Sequence, residues 1–184
     1  MQDAPRAQDS AIRAGYRRSL VFVALFLVYF FALQLGYSHA HDGAFARFFI
    51  ETMTVKPSVW TINLLTPQEA VTAQAHRLVS PQARLSVLNG CEGVEAMFML
   101  GAAILAFAAS WRHKIMGAVL GLTLVYGLNQ ARIVSLYYLW RFDRDGFNVL
   151  HGVIGPTLII VGSSLFFLWW AQRARGADAR RAVA

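Results

Sequence analysis

The chain has 184 residues, of which 57% are hydrophobic and only 15% charged, well short of the roughly 25% charged content of an ordinary water-soluble domain. Its single cysteine, Cys91, excludes a disulfide framework. The formal charge of +7 does not indicate a nucleic-acid surface, because the arginines flank apolar runs instead of lining one polar face.

The basic stretch 1–18, with Arg6, Arg13, Arg17 and Arg18, leads into the uncharged apolar run Ser19–Tyr37, long enough to cross a hydrocarbon core of roughly 30 Å as a helix. Followed by Ser38-His39-Ala40, this start imitates a secretory signal peptide. The run exceeds the roughly 7 to 15 residues of a signal core, which favours a retained span. In the loop 38–93, Phe45, Phe48, Phe49 and Met53 recur at helical spacing before Lys56-Pro57 interrupts, and Trp60, Ile62, Leu64 and Leu65 follow. That pattern predicts an interfacial amphipathic helix. Val71, Ala73 and Ala75 alternate before Ser80-Pro81, and Leu85 and Val87 after it, compatible with a small hairpin leading into Cys91. Further apolar runs predict spans at about 94–111, 115–140 and 152–172, and the basic tail 173–184 is expected to be disordered.

The fold class is therefore an all-α integral membrane protein with about four transmembrane helices in a single membrane domain over 19–172. Arg112 and Lys114 lie between the second and third spans, and Arg173, Arg175, Arg180 and Arg181 follow the fourth. Placing these groups and the N-terminal arginines in the cytoplasm satisfies the positive-inside rule with an even number of crossings. Both termini are then cytoplasmic, in a cell inner membrane, and the loop 38–93 and the turn 141–150 face the periplasm with Asp42, Glu51, Glu69, Glu92, Asp143 and Asp145. Membrane lipid is the expected surrounding partner: Trp60, Trp111, Tyr137, Tyr138, Trp140, Trp169 and Trp170 suit interfacial anchoring. Gly117-x-x-x-Gly121 suits close helix packing.

Ionisable groups in or beside a span are costly, about 2.5 to 3.5 kcal/mol for a central arginine, so three of them raise a functional question. Cys91 lies where the loop enters the second span. Arg132 lies roughly 25 Å along the third, counted from Ile115 at 1.5 Å per residue, and His151 opens the fourth. Taken singly, each has a plainer role: a small buried hydrophobe, a snorkelling cation, an interfacial side chain. Together, a thiol, a guanidinium and an imidazole at one depth suit acyl transfer, in which a thiolate attacks a carbonyl, an imidazole moves the proton and a cation stabilises the oxyanion. Asn129, one helical turn before Arg132, is placed to orient it or to donate to the same oxyanion. Glu92 pointing inward would suppress the thiolate, so it is expected to face away or to contact Arg132. His39-x-His41-Asp42 is a weak metal-ligand pattern on a short loop, and neither a metal nor a cofactor is expected.

The ordered set Cys91-x-Gly93, Asn129-x-x-Arg132 and His151-x-x-x-Gly155, each at the outer end of a span, resembles the exosortase and archaeosortase family of integral membrane cysteine transpeptidases. The resemblance covers roughly residues 70–172. It implies Cys91 as nucleophile, His151 as the proton-transferring partner, and Arg132 as the group that stabilises the intermediate or positions the scissile carbonyl. It further implies clients that are exported proteins bearing a C-terminal recognition motif, one transmembrane helix and a basic tail, with water, an amine or a hydroxyl as acceptor. Two departures stand out: about four spans where many members have about eight, and Glu92 where Ser or Thr is commoner. The chain is similar to the short bacterial subtype called exosortase H. Two rival classes are a non-enzymatic membrane partner in envelope polysaccharide or protein export, docking through the loop, and a small anion transporter using Arg132, for which the spans carry little polar surface.

Overall fold

The computed structural model describes residues 3–39, 43–88 and 90–183, with side chains left aside over 3–11, at 14 and over 177–183. His41 and Asp42 of the weak metal-ligand pattern, and Asn89 before the cysteine, lie outside the described residues.

The protein is built from a long first helix, α1 (Asp3–His39), a small head that combines a broken helix with a three-stranded sheet, and three further helices that return through the apolar body. Those are α4 (Val94–Ala106), α5 (Trp111–Phe142) and α7 (Gly155–Val183). Segments Gly15–His39, Trp111–Phe142 and Arg144–Gly176 are long and apolar enough to cross a membrane. The second expected span is shorter than its sequence suggests. α4 has 13 residues, or roughly 20 Å at 1.5 Å per residue, because Phe107 leaves the helix in an extended conformation and Ser110 starts α5 after a tight turn.

α1 packs on α4, α4 on α5 and α7, and α5 on α7. Leu100, Ile104, Phe107, Val125, Ile159 and Trp170 form the cluster of the spanning body. Gly117 and Gly121 permit this closeness. A β-carbon on Gly117 would collide with the Trp170 indole, and one on Gly121 would stand 2.6 Å from Phe166 and 2.8 Å from Leu100. Two aromatic residues expected to anchor at the interface are core instead: Tyr137 is fully buried in the head, and Trp170 fills the hollow over Gly117. Trp60, Trp111 and Trp169 are exposed, as an anchor would be.

The head opens with α2 (Ala44–Arg47), a π-helical segment Phe48–Val55 and α3 (Lys56–Leu65). Lys56-Pro57 does not interrupt this run, since Val55 and Lys56 keep helical dihedrals. Pro57 has no N–H for the carbonyl one turn earlier, at Met53. That oxygen accepts instead from Gln130 Nε2 of α5 at 2.9 Å, while Gln130 Oε1 accepts from Ser58 Oγ at 2.7 Å.

The expected hairpin has one strand more than its sequence pattern suggests. β1 (Thr72–Gln74), β2 (Arg77–Val79) and β3 (Arg84–Ser86) form an antiparallel sheet in chain order, with Ala73 opposite Leu78 and Leu78 opposite Leu85. The first turn takes Ala75 to a positive φ of 51°, and the second is the anticipated Ser80-Pro81 turn, closed by Ser80 Oγ accepting from Ala83 N at 3.0 Å. Ile50, Val55, Ile62, Val71, Leu78, Leu85 and Val87 pack against Ile133, Val134, Leu136 and Tyr137 of α5. The C-terminal half of α5 is thus the spine of the head. Beside it, buried Glu69 pairs with Arg141 and accepts from the Tyr137 hydroxyl at 2.9 Å.

α6 (Arg144–Val149) is capped by Asp143, whose Oδ1 accepts from Gly146 N at 3.0 Å, and passes through a π-helical segment Leu150–Ile154 into α7. The tail expected to be disordered continues α7 as helix through Val183. Its alanines and arginines are strong helix formers.

Candidate functional site

The head cluster and the spanning cluster meet at one level, and the candidate residues lie at that boundary. Along α5, Val125 belongs to the spanning cluster with Leu128 packed on it, and Ile133 and Val134 belong to the head cluster. Asn129, Gln130 and Arg132 occupy the interval. Cys91 packs on the head cluster, whereas Met97 and Leu100 of α4 join the spanning one. Leu150 packs on the head cluster and Ile159 lies in the spanning one, with His151 and Gly155 between them.

Cys91 is half-buried in the turn before α4, where its N–H donates to the Leu88 carbonyl at 3.0 Å. Gly93 caps α4 with φ +80°, a conformation side chains rarely adopt. A β-carbon there would stand 2.9 Å from Asn129 Cγ, so the backbone after the cysteine lies directly on the Asn129 side chain. Asn129 is itself buried, at 1% exposure, and its Oδ1 has no hydrogen-bond partner. It supports the Cys91–Gly93 turn; it makes no hydrogen bond to Arg132.

Arg132 reaches across to the last helix. Its Nη2 donates to the His151 carbonyl oxygen at 3.3 Å, and its Nε is buried without a partner. Gly155 makes room for it: a β-carbon there would stand 2.7 Å from Arg132 Nε and 2.9 Å from Cδ. The His151 ring is exposed and stacks on Phe147 with centroids 5.5 Å apart and planes 7° from parallel. Phe147 contacts Trp140 edge-on at 5.0 Å, and the Arg144 guanidinium lies 3.6 Å from the Trp140 ring centre. This ladder fixes the imidazole from the side of the head.

The structure therefore brings Arg132 into direct contact with Gly155 and the His151 backbone carbonyl and, separately, sets Gly93, two residues after Cys91, against the Asn129 side chain. The two groups are joined through the single turn of α5 that carries both Asn129 and Arg132, and through the head cluster shared by Cys91, Phe147 and Leu150. Among the described residues no hydrogen bond links the thiol to Arg132 or His151. Glu92 makes no ion pair with Arg132: it is 3% exposed, its Oε1 accepts from the Tyr37 hydroxyl of α1 at 2.7 Å, and its Oε2 has no hydrogen-bond partner.

The pattern of residue types missed Tyr37, the Gln130 clamp and the Glu69–Arg141 pair. Each joins positions far apart in the chain, and no local motif marks them.

With this geometry in view, the match of residues 10–170 to the model of the transmembrane exosortase family decides the assignment. The chain belongs to the transmembrane exosortase family. Exosortases are membrane enzymes of the cysteine peptidase and transpeptidase kind that act on exported proteins with C-terminal sorting signals. Comparison with curated proteins and with solved structures finds no match.

Proposed function

We propose that this exosortase cleaves C-terminal sorting signals at the periplasmic face of the inner membrane through a thioester on Cys91. The observation that carries the reading is the contact of Arg132 with both the His151 carbonyl and Gly155, one helical turn from the Asn129 side chain that supports the cysteine turn. The Cys91 thiol passes its proton to His151, and the sulfur attacks the scissile carbonyl. The Arg132 guanidinium stabilises the tetrahedral oxyanion. Collapse breaks the peptide C–N bond, His151 returns the proton to the departing amine, and the client's new carboxyl end remains as a thioester. Water resolves it to a free carboxylate, whereas an amine or hydroxyl acceptor gives a transfer product.

Both termini lie in the cytoplasm on this reading, and a client helix beside α5 and α7 presents the segment before its span at the level of Cys91. The test is co-expression with a client bearing such a signal. Cys91→Ala abolishes processing while the enzyme remains inserted, and Cys91→Ser is nearly as damaging. Undiminished processing by stable Cys91→Ala enzyme refutes the proposal. A non-enzymatic docking role predicts instead that loss of Arg132 or His151 is tolerated.

A further inference from the structure

Glu92 follows the candidate nucleophile directly in the chain, and a carboxylate beside a thiol opposes its ionisation. In the structure that carboxylate is held elsewhere. Oε1 accepts from the Tyr37 hydroxyl at 2.7 Å, and Oε2 is buried with no partner, so Tyr37 supplies its hydrogen bond. Tyr37 is itself wedged, 7% exposed, with Phe45 and Phe98 edge-on at 6.2 and 5.7 Å. Its hydroxyl is thus delivered in one position by packing around α1, α2 and α4.

We infer that Tyr37 is a positioning residue for Cys91: it retains the Glu92 carboxylate on the α1 side of the Cys91–Gly93 turn and so keeps negative charge off the thiol. The catalytic consequence rests on the reading of Cys91 as nucleophile. The charged and titratable groups around the turn make the retention necessary. On the α1 side, Gln34 Nε2 lies 3.5 Å from Glu95 Oε1, so a second carboxylate of α4 already occupies that face and repels the first. The Arg132 guanidinium belongs to another element, α5, and the His151 imidazole to the π-helical segment before α7. A carboxylate released by Tyr37 is therefore pushed by Glu95 and drawn toward the Arg132 guanidinium, one helical turn from the Asn129 side chain that packs on the turn carrying the thiol.

Because Cys91 is the only cysteine, alkylation reports on it alone. The experiment measures the rate of N-ethylmaleimide labelling against pH for the full-length protein in lipid nanodiscs. Tyr37→Phe is expected to raise the midpoint of the profile by roughly half to one pH unit. Adding Glu92→Gln to Tyr37→Phe returns it to the wild-type value, which a merely structural role of Tyr37 would not do. An unchanged midpoint in Tyr37→Phe, or an upward shift that persists in the double variant, overturns the inference. Glu92→Gln alone provides the check if Tyr37→Phe does not accumulate: a midpoint near wild type supports retention, and a drop of a full unit means that the carboxylate already bears on the thiol. The readout needs no client, so its failure leaves the proposed reaction standing, and failure of client processing leaves the alkylation result intact.

Discussion

Arg132 Nε lies 2.7 Å from where a β-carbon on Gly155 would stand. The absence of a side chain on α7 is thus what admits the guanidinium to the His151 carbonyl, and the glycine acts through the arginine.

Gly155→Ala is expected to displace Arg132 and to lower client processing at least tenfold. The new methyl also meets the Leu150 carbonyl at 2.7 Å, so a loss of about 1 to 3 kcal/mol in stability accompanies it. Processing rate and thermal midpoint in detergent, measured on the same preparation, check both effects. Arg132→Lys keeps the charge but not the planar fork, and should lose most activity while leaving the midpoint near wild type.

Gly93→Ala confronts two obstacles, a positive φ and the Asn129 side chain. It should cost about 1 to 3 kcal/mol in stability. Asn129→Ala in the same chain should recover part of that loss, because the steric component disappears and the backbone component stays. Thermal unfolding of the two single variants and the double variant measures this coupling.

Arg141→Ala leaves the Glu69 carboxylate, 4% exposed, with the Tyr137 hydroxyl but no cation. A loss of about 3 kcal/mol is expected. Hydrogen exchange should increase first in β1 to β3, since the sheet is tied to α5 beside this pair, while α4 and α7 stay protected.

Gln130→Leu removes the donor that replaces the missing N–H of Pro57. The part-buried Met53 carbonyl then loses this donor, at a cost of about 1 kcal/mol. Proteolysis within 48–58 at low protease concentration should accelerate.

What the sequence revealed followed from chemistry that is local along the chain. Apolar runs marked α1, α5 and α7, and the cost of ionisable groups in or beside such runs singled out Arg132 and His151. The Ser80-Pro81 turn carried its own signal. The length of α4 was obscured because the apolar run continues through Phe107 to Ala109 after the helix has ended, and hydropathy does not register a backbone turn. The turn at Ala75-His76 was hidden because Ala75 takes a positive φ without the glycine or asparagine that usually announces one. The Tyr37–Glu92 contact spans 55 positions, and its two residues acquire meaning only when α1 packs on α4. Glu92 was expected either to face away or to contact Arg132; its hydrogen bond goes to the Tyr37 hydroxyl, a partner that neither alternative named.

The central claim is that Cys91 carries the client as an acyl group. Mass spectrometry of the enzyme after co-expression with a client bearing a motif, a transmembrane helix and a basic tail, quenched in acid, tests it most directly. The expected result is a client fragment ending at one defined residue and joined to Cys91 by a bond labile to hydroxylamine, and its loss in His151→Ala, which lacks the base that forms it. Processed client alongside enzyme whose Cys91 is unmodified and fully alkylatable at every time point would contradict it.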